Sequence, residues 1–239
     1  MARERPSMRF VWLLATLMTF YLIVPLLENL HGLIDEGIPR LLEGPIFVLL
    51  LTAVLVSESP KKWYRSLTVL LGAIAAVLWT LPGSMISEQL RLIRHGLAIA
   101  FLGYSIGSIL LFIFTAQRVT LNLLCSSLCI YLLLGVLWAV GYSTTAILNP
   151  QAFFYNLPGQ FQRGMVFDSG GSAESLYFSF TTLTTVGYGD IVPAMPLTRA
   201  MATLEALVGQ LFLTVLVARL VGMHILDSQS RRGGEHESG

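Results

Sequence analysis

Seven consecutive residues, Thr184, Thr185, Val186, Gly187, Tyr188, Gly189 and Asp190, hold the clearest chemistry in this chain. A path that passes a dehydrated cation quickly must replace the ion's water shell with oxygens, and main-chain carbonyls do this without a fixed charge that would trap it. An ordinary strand turns successive carbonyls to opposite sides. Lining one axis with consecutive carbonyls therefore needs unusual dihedrals, which Gly187 and Gly189 accept at little cost. Thr185 adds a hydroxyl oxygen as the innermost ring. With the carbonyls turned inward, Val186 and Tyr188 face outward, pack against whatever precedes the strand and hold the ring diameter. Asp190 follows at the outer mouth, where four copies would form a carboxylate ring that concentrates cations.

Such a strand needs elements that hold it inside a bilayer, and the composition provides for one. Of 239 residues, 54% are hydrophobic and 12% charged, against about 25% charged in soluble domains. About 20 residues cross a hydrocarbon core of about 30 Å, and six apolar stretches have that length: 10–27, 39–56, 63–81, 96–116, 121–142 and 198–225. The second opens at Pro39, with Arg40 and Glu43 in its first turn. Between the last two spans lies Ser172–Leu183, apolar but only about three turns long, too short to cross. It must enter and return, which is tolerated only where protein or water satisfies the backbone. Ser172 and Glu174 suit its positive end as cap and carboxylate, and its negative end would face a central cavity where a cation gains.

Charge counting sets an orientation. With a cytoplasmic N-terminus, ten of the fifteen basic residues fall inside and five, Arg40, Arg91, Arg94, Arg163 and Arg199, fall outside, so both termini are expected in the cytoplasm of a cell that carries the chain in its inner or plasma membrane. Trp12 and Trp63 then lie at inner span ends, Trp79 and Trp138 at outer ones. Arg3, Arg5 and Arg9 before an apolar run resemble a signal peptide, but no small-residue cleavage site follows and the run continues, so it is read as a retained first span. After the sixth span, residues 227–239 are polar and contain glycine, so irregular chain is expected there, with no room for a fused regulatory domain.

TTVGYGD, following a short helix and standing between the last two spans, resembles the potassium-channel signature. The resemblance implies a potassium-selective channel of the six-span, voltage-gated-like superfamily, bacterial in type. The fold it implies is an all-α membrane protein with six transmembrane helices, a re-entrant pore helix and a filter loop, assembled as a tetramer. Residues 1–117 would form a four-helix sensor-like domain, 118–226 the pore domain and 227–239 a short cytoplasmic tail. The carbonyls of Thr185, Val186, Gly187 and Tyr188 with the Thr185 hydroxyl would make the stacked potassium sites, and Gly189 and Asp190 would finish the outer turn. Thr184 would support the strand from below. Pore helices of this family often place an aromatic hydroxyl near the aspartate after the filter. Tyr177 stands so relative to Asp190, and packing alone is the other reading. Gly209, midway along the last span, matches a family glycine that permits bending, against a close helix contact as the alternative. The fourth span departs from the family: no Lys or Arg lies in 96–117, and only Arg91 and Arg94 keep the spacing of three, as vestigial sensor charges. Weak or no voltage dependence is expected, because the second and third spans hold no acidic partners in their interiors.

Other functions find less support. No paired carboxylates, metal-ligand cluster or nucleophile with a base occur within the spans, so no enzyme and no cofactor are expected beyond permeant potassium. Cys125 and Cys129, four apart in an apolar span, are read as packing. No basic cluster marks a nucleic-acid surface. The expected partners are three more copies of the chain, the lipid bilayer and potassium ions. A nonselective cation channel and a non-conducting membrane scaffold remain the alternatives. Arg219 is expected to snorkel to the cytoplasmic interface, Thr214 to be a candidate for the cavity wall, and Glu205 has no assigned role. The outer loop 143–171, with Phe153, Phe154 and Tyr155, is either a turret or cap or a partly ordered linker. None of His31, His95, His224 and His236 is assigned a pH switch.

Overall fold

Among the described residues, five delimited helices and a small sheet position the TTVGYGD sequence. The computed structural model describes residues 9–30, 70, 73–74, 87–116, 120–157, 160–163 and 172–236. The helices are α1 (Arg9–Leu30), α2 (Glu88–Thr115), α3 (Leu121–Leu148), α4 (Ser172–Leu183) and α5 (Pro196–His236). Apart from helical positions 70, 73 and 74, the expected second and third spans lie outside the described residues.

Local signals explain the helix ends. Ser87 caps α2 by accepting from the Leu90 amide at 3.3 Å, and Glu88 stands beside the positive end. Thr120 caps α3 in the same way, accepting from Leu123 N at 3.2 Å. Pro150 follows the Asn149 cap and cannot continue that helix. Pro196 occupies the first position of α5, where its missing N–H is not needed. By length and composition α2, α3 and the Pro196–Met223 part of α5, each of 28 residues, suffice to cross a membrane. At 1.5 Å per residue, each is about 42 Å long against a core of about 30 Å.

α3 is the central element. Its Cys129, Ile130 and Leu133 are buried together with Leu13 and Leu17 of α1 and Phe101, Leu102 and Ile109 of α2, in one core that also reaches Leu176 of α4. Cys125 and Cys129 are both free thiols in that core, and the Cys129 thiol approaches the Phe10 carbonyl at 3.6 Å. They pack, as the sequence led us to expect.

The described chain is mostly helical, consistent with the expected all-α membrane class. To the helices it adds one small feature: β1 (Phe153–Leu157) and β2 (Gln160–Arg163) of the 143–171 loop join β3 (Ile191–Pro193) in a three-stranded antiparallel sheet, ordered β2-β1-β3. Its central strand pairs Tyr155 with Ile191 and Phe154 with Val192, so aromatic and β-branched residues meet across strands. The loop is thus tied to the chain just after the TTVGYGD sequence. One expectation is corrected, that of the tail. α5 runs unbroken to His236 where irregular chain was expected from 227; Gln229, Arg231 and Arg232 favour helix while Ser228, Ser230, Gly233 and Gly234 oppose it, so the extension draws on the already nucleated helix rather than on propensity.

Candidate functional site

α4 delivers the chain to the TTVGYGD sequence. The Thr184 amide still bonds to Phe180 O at 3.0 Å, while that of Thr185 bonds to Thr182 O at 2.9 Å, tightening the last turn. The Gly187 amide then reaches back to the Thr181 carbonyl at 3.0 Å, so the strand returns beside the helix that preceded it.

Positive φ values occur at Thr185 (59°), Gly187 (53°) and Gly189 (79°), and at no other described residue. The backbone hand therefore alternates residue by residue through Val186 and Tyr188. This alternation undoes the flip of an ordinary strand and lets successive carbonyls share a side. The two glycines were expected to take this role. Thr185 was not, since a β-branched residue in the left-handed region is costly, on the order of 1–3 kcal/mol, and needs surroundings that hold it. Its amide bond to Thr182 and a contact from Gln210 Nε2 to its hydroxyl at 3.3 Å are such surroundings.

Among the described residues no donor reaches the carbonyls of Thr185, Val186, Gly187 or Tyr188. The row ends sharply. Gly189 O accepts from Asn156 Nδ2 at 3.2 Å, and Asp190 O accepts from the Asn156 amide at 2.7 Å. Asn156 belongs to β1, so the sheet supplies the donors that finish the turn. Sequence reasoning missed it, because an asparagine 33 residues upstream carries no pattern linking it to a glycine carbonyl.

Tyr177 and Asp190 are brought together: the phenol donates to Asp190 Oδ2 at 2.7 Å, and Oδ1 accepts from the Ile191 amide at 3.0 Å. The Tyr177 ring stacks on Tyr188, centroids 6.3 Å apart and planes 3° from parallel. Partial burial and the bond to the Asp190 carboxylate push the Tyr177 phenol up to about 12. Val186 and Tyr188 keep 54% and 72% of their surface exposed. They border a cavity of about 500 Å³ that also meets Tyr21, Tyr131, Phe180 and Thr184.

The last helix places four singled-out residues. Gly209 is buried, and a Cβ there would run into the Leu183 carbonyl oxygen and lie 2.9 Å from Leu183 Cδ1. α5 therefore passes the end of α4 at Gly209 as closely as two backbones allow. Thr214 is exposed and bonds its own helix at Gln210 O, 2.8 Å away. Arg219 does not simply point to an interface. Its Nη2 donates to Phe114 O at 3.0 Å and Ala116 O at 3.1 Å, and its guanidinium lies 5.1 Å from the Phe114 ring centre. A cation thus caps the negative end of α2, where terminal carbonyls lack helical partners. Glu205 is fully buried between α3, α4 and α5. Arg91 and Arg94 lie in the first two turns of α2, which begins eight residues before the expected span.

A family model described as "Ion channel" matches residues 99–224. Among curated proteins, the chain is similar to "Two pore potassium channel c" of Oryza sativa subsp. japonica, 37% identical over 81 residues, 32% of this chain and 16% of that protein. It is also similar to "Two-pore potassium channel 5" of Arabidopsis thaliana, 41% identical over 56 residues, 23% of this chain and 14% of that one. "Inward rectifier potassium channel Kirbac3.1" of Paramagnetospirillum magnetotacticum is 44% identical over 46 residues, 19% and 16% of the two chains. The chain therefore spans under a fifth of the length of these relatives. The family match covers α3, α4, the 185–189 strand and most of α2 and α5, more than half of the chain, and the chain accordingly belongs to this ion-channel family.

Proposed function

We propose that this chain is one subunit of a potassium-selective channel in a cell membrane, a homotetramer of six-span subunits with both termini cytoplasmic. Thr185, Val186, Gly187 and Tyr188 contribute their carbonyls, and Thr185 its hydroxyl, to the filter. One observation carries this: four successive carbonyls accept no hydrogen bond from the described residues along a strand whose φ changes sign at each step. These four residues stand exposed in the single chain; enclosed on an axis shared by four chains their carbonyls would need a partner other than bulk water, and a dehydrated cation on the axis is the partner that such a row suits. Potassium follows from the TTVGYGD sequence and from the relatives' names. One filter strand per chain calls for four chains around the axis.

Tyr177 and Asp190 act as a brace that keeps the outer end of the strand from collapsing, with Thr184 tying its inner end to the pore helix. Gly209 is a contact point rather than a hinge, in keeping with the Leu183 oxygen that fills its side-chain space. Arg91 and Arg94 leave the channel weakly voltage-dependent or voltage-independent.

Flux from liposomes loaded with potassium, rubidium or sodium tests the function. Potassium and rubidium are expected to leave at similar rates and sodium far more slowly. Equal sodium flux would make the channel nonselective, and absence of flux from a correctly inserted tetramer would leave a scaffold.

A further inference from the structure

Glu205 poses a counting problem. Its carboxyl is completely buried inside a membrane helix, and among the described residues no Lys, Arg or His pairs with it. Tyr142 Oη lies 2.5 Å from Oε2 and Ser179 Oγ 2.5 Å from Oε1. The same Ser179 Oγ lies 2.7 Å from the Gly135 carbonyl oxygen. All three separations fall within the O–H···O range, the two at 2.5 Å at its short end, so each calls for a proton between its oxygens. Tyr142 and Ser179 bring one proton each. An ionised Glu205 brings none, and one of the two Ser179 contacts would then press bare oxygens together. A protonated Glu205 closes the count. Oε1–H donates to Ser179 Oγ, Ser179 O–H donates to Gly135 O, and Tyr142 O–H donates to Oε2.

The surroundings agree. Tyr142, Phe153 and Phe178 close edge to face at centroid distances of 4.9–5.6 Å around this junction and keep it dry. An unpaired carboxylate there would lose its hydration with no countercharge to replace it, whereas a hydrogen-bonded neutral acid does not. α4 approaches α3 closely enough for Ser179 to reach Gly135 O because Gly135 has no side chain: a Cβ would lie 2.5 Å from the Phe180 ring.

We propose that Glu205 carries a proton and serves as a positioning residue, its neutral carboxylic acid joining pore helix α4 to α3 and α5 and so fixing where the 185–189 strand stands. The positional consequence rests on the filter assignment above; the proton does not. The test uses the full chain in bilayers. Infrared difference spectra of wild type against E205Q should show a protonated-carboxyl C=O stretch that the variant lacks. S179A should move that band to higher frequency, since the acid loses its acceptor. In flux assays E205Q, which can donate and accept at the same positions, should keep the wild-type potassium-over-sodium ratio, and E205L should lower it by about tenfold. A spectrum without the band, or one unmoved by S179A, overturns the proposal, as does an E205Q channel as unselective as E205L. The spectra need no ion movement and no leucine variant, so they stand apart from wild-type flux, which alone tests the filter assignment.

Discussion

Replacing Gly209 by Ala adds one methyl group where α5 crosses the end of α4. That methyl would enter the Leu183 carbonyl oxygen, lie 2.9 Å from Leu183 Cδ1 and 3.3 Å from the Leu183 carbonyl carbon. Carbon atoms pack best at about 3.5–4.0 Å, and two of the three atoms are backbone, which cannot swing aside. Leu183 is followed directly by Thr184 and Thr185, so relief must come by moving the helix end and the strand attached to it. Overpacking of this kind costs typically 1–3 kcal/mol. The exchange also gains about 1 kcal/mol of helix propensity, and Gly222 in the same helix provides the control, since a Cβ there meets nothing within 4 Å. G209A and G222A share the propensity gain, so their difference isolates the contact: about 1–3 kcal/mol, or a factor of about 5 to 150 in an equilibrium. The assay is the potassium-over-sodium flux ratio of reconstituted channels, with melting of the purified protein measured alongside. G222A should match or exceed wild type in stability, and G209A should lose both selectivity and stability. A G209A channel with wild-type selectivity and melting, altered only in open probability, would refute the contact and restore the hinge.

Tyr177→Phe removes a hydrogen bond to a charged acceptor, worth about 1.5–3 kcal/mol, and should speed current decay or lower selectivity; unchanged decay and selectivity would reject the brace. The pH dependence of that brace has a definite sign. A phenol raised in the folded protein to about 12, from about 10 when free, contributes stability that is complete below pH 10 and is lost as pH rises through 12, so thermal stability attributable to Tyr177 should be flat from pH 6 to about 9 and fall above it in wild type but not in Y177F. Arg219→Met keeps the stem but uncaps the Phe114 and Ala116 carbonyls, and should raise proteolysis or hydrogen exchange at the end of α2, while R219K should restore only part of the protection; exchange unchanged in R219M would dismiss the cap. Two arginines in each of four chains are eight charges, about 18 kcal/mol per 100 mV if all crossed the field, so a shallow conductance–voltage curve would mean that Arg91 and Arg94 stay put, and a steep sigmoid would show that they move.

Much of this was legible from residue order because its physics is local. Apolar runs of membrane length, a segment too short to cross and glycines alternating in TTVGYGD each state their consequence within a few neighbouring residues. The capping residues Ser87 and Thr120 and the opening Pro196 mark their helix ends for the same reason. Glu205, Ser179 and Tyr142 are 26 and 63 positions apart along the chain, and nothing in their spacing announces a shared proton. Asn156 finding the Gly189 carbonyl, Arg219 finding the end of α2 and Leu183 filling the space beside Gly209 are of the same kind. Sequence by itself determined that the chain is apolar enough to enter a bilayer and which residues can take alternating backbone hands, the strand to which the proposed filter role is given, since hydrophobic length and backbone freedom are properties of consecutive residues. Which groups hold that strand in place was decided only by the tertiary structure, because hydrogen bonds and steric contacts act over about 3–4 Å in space, a distance that separation along a chain does not measure.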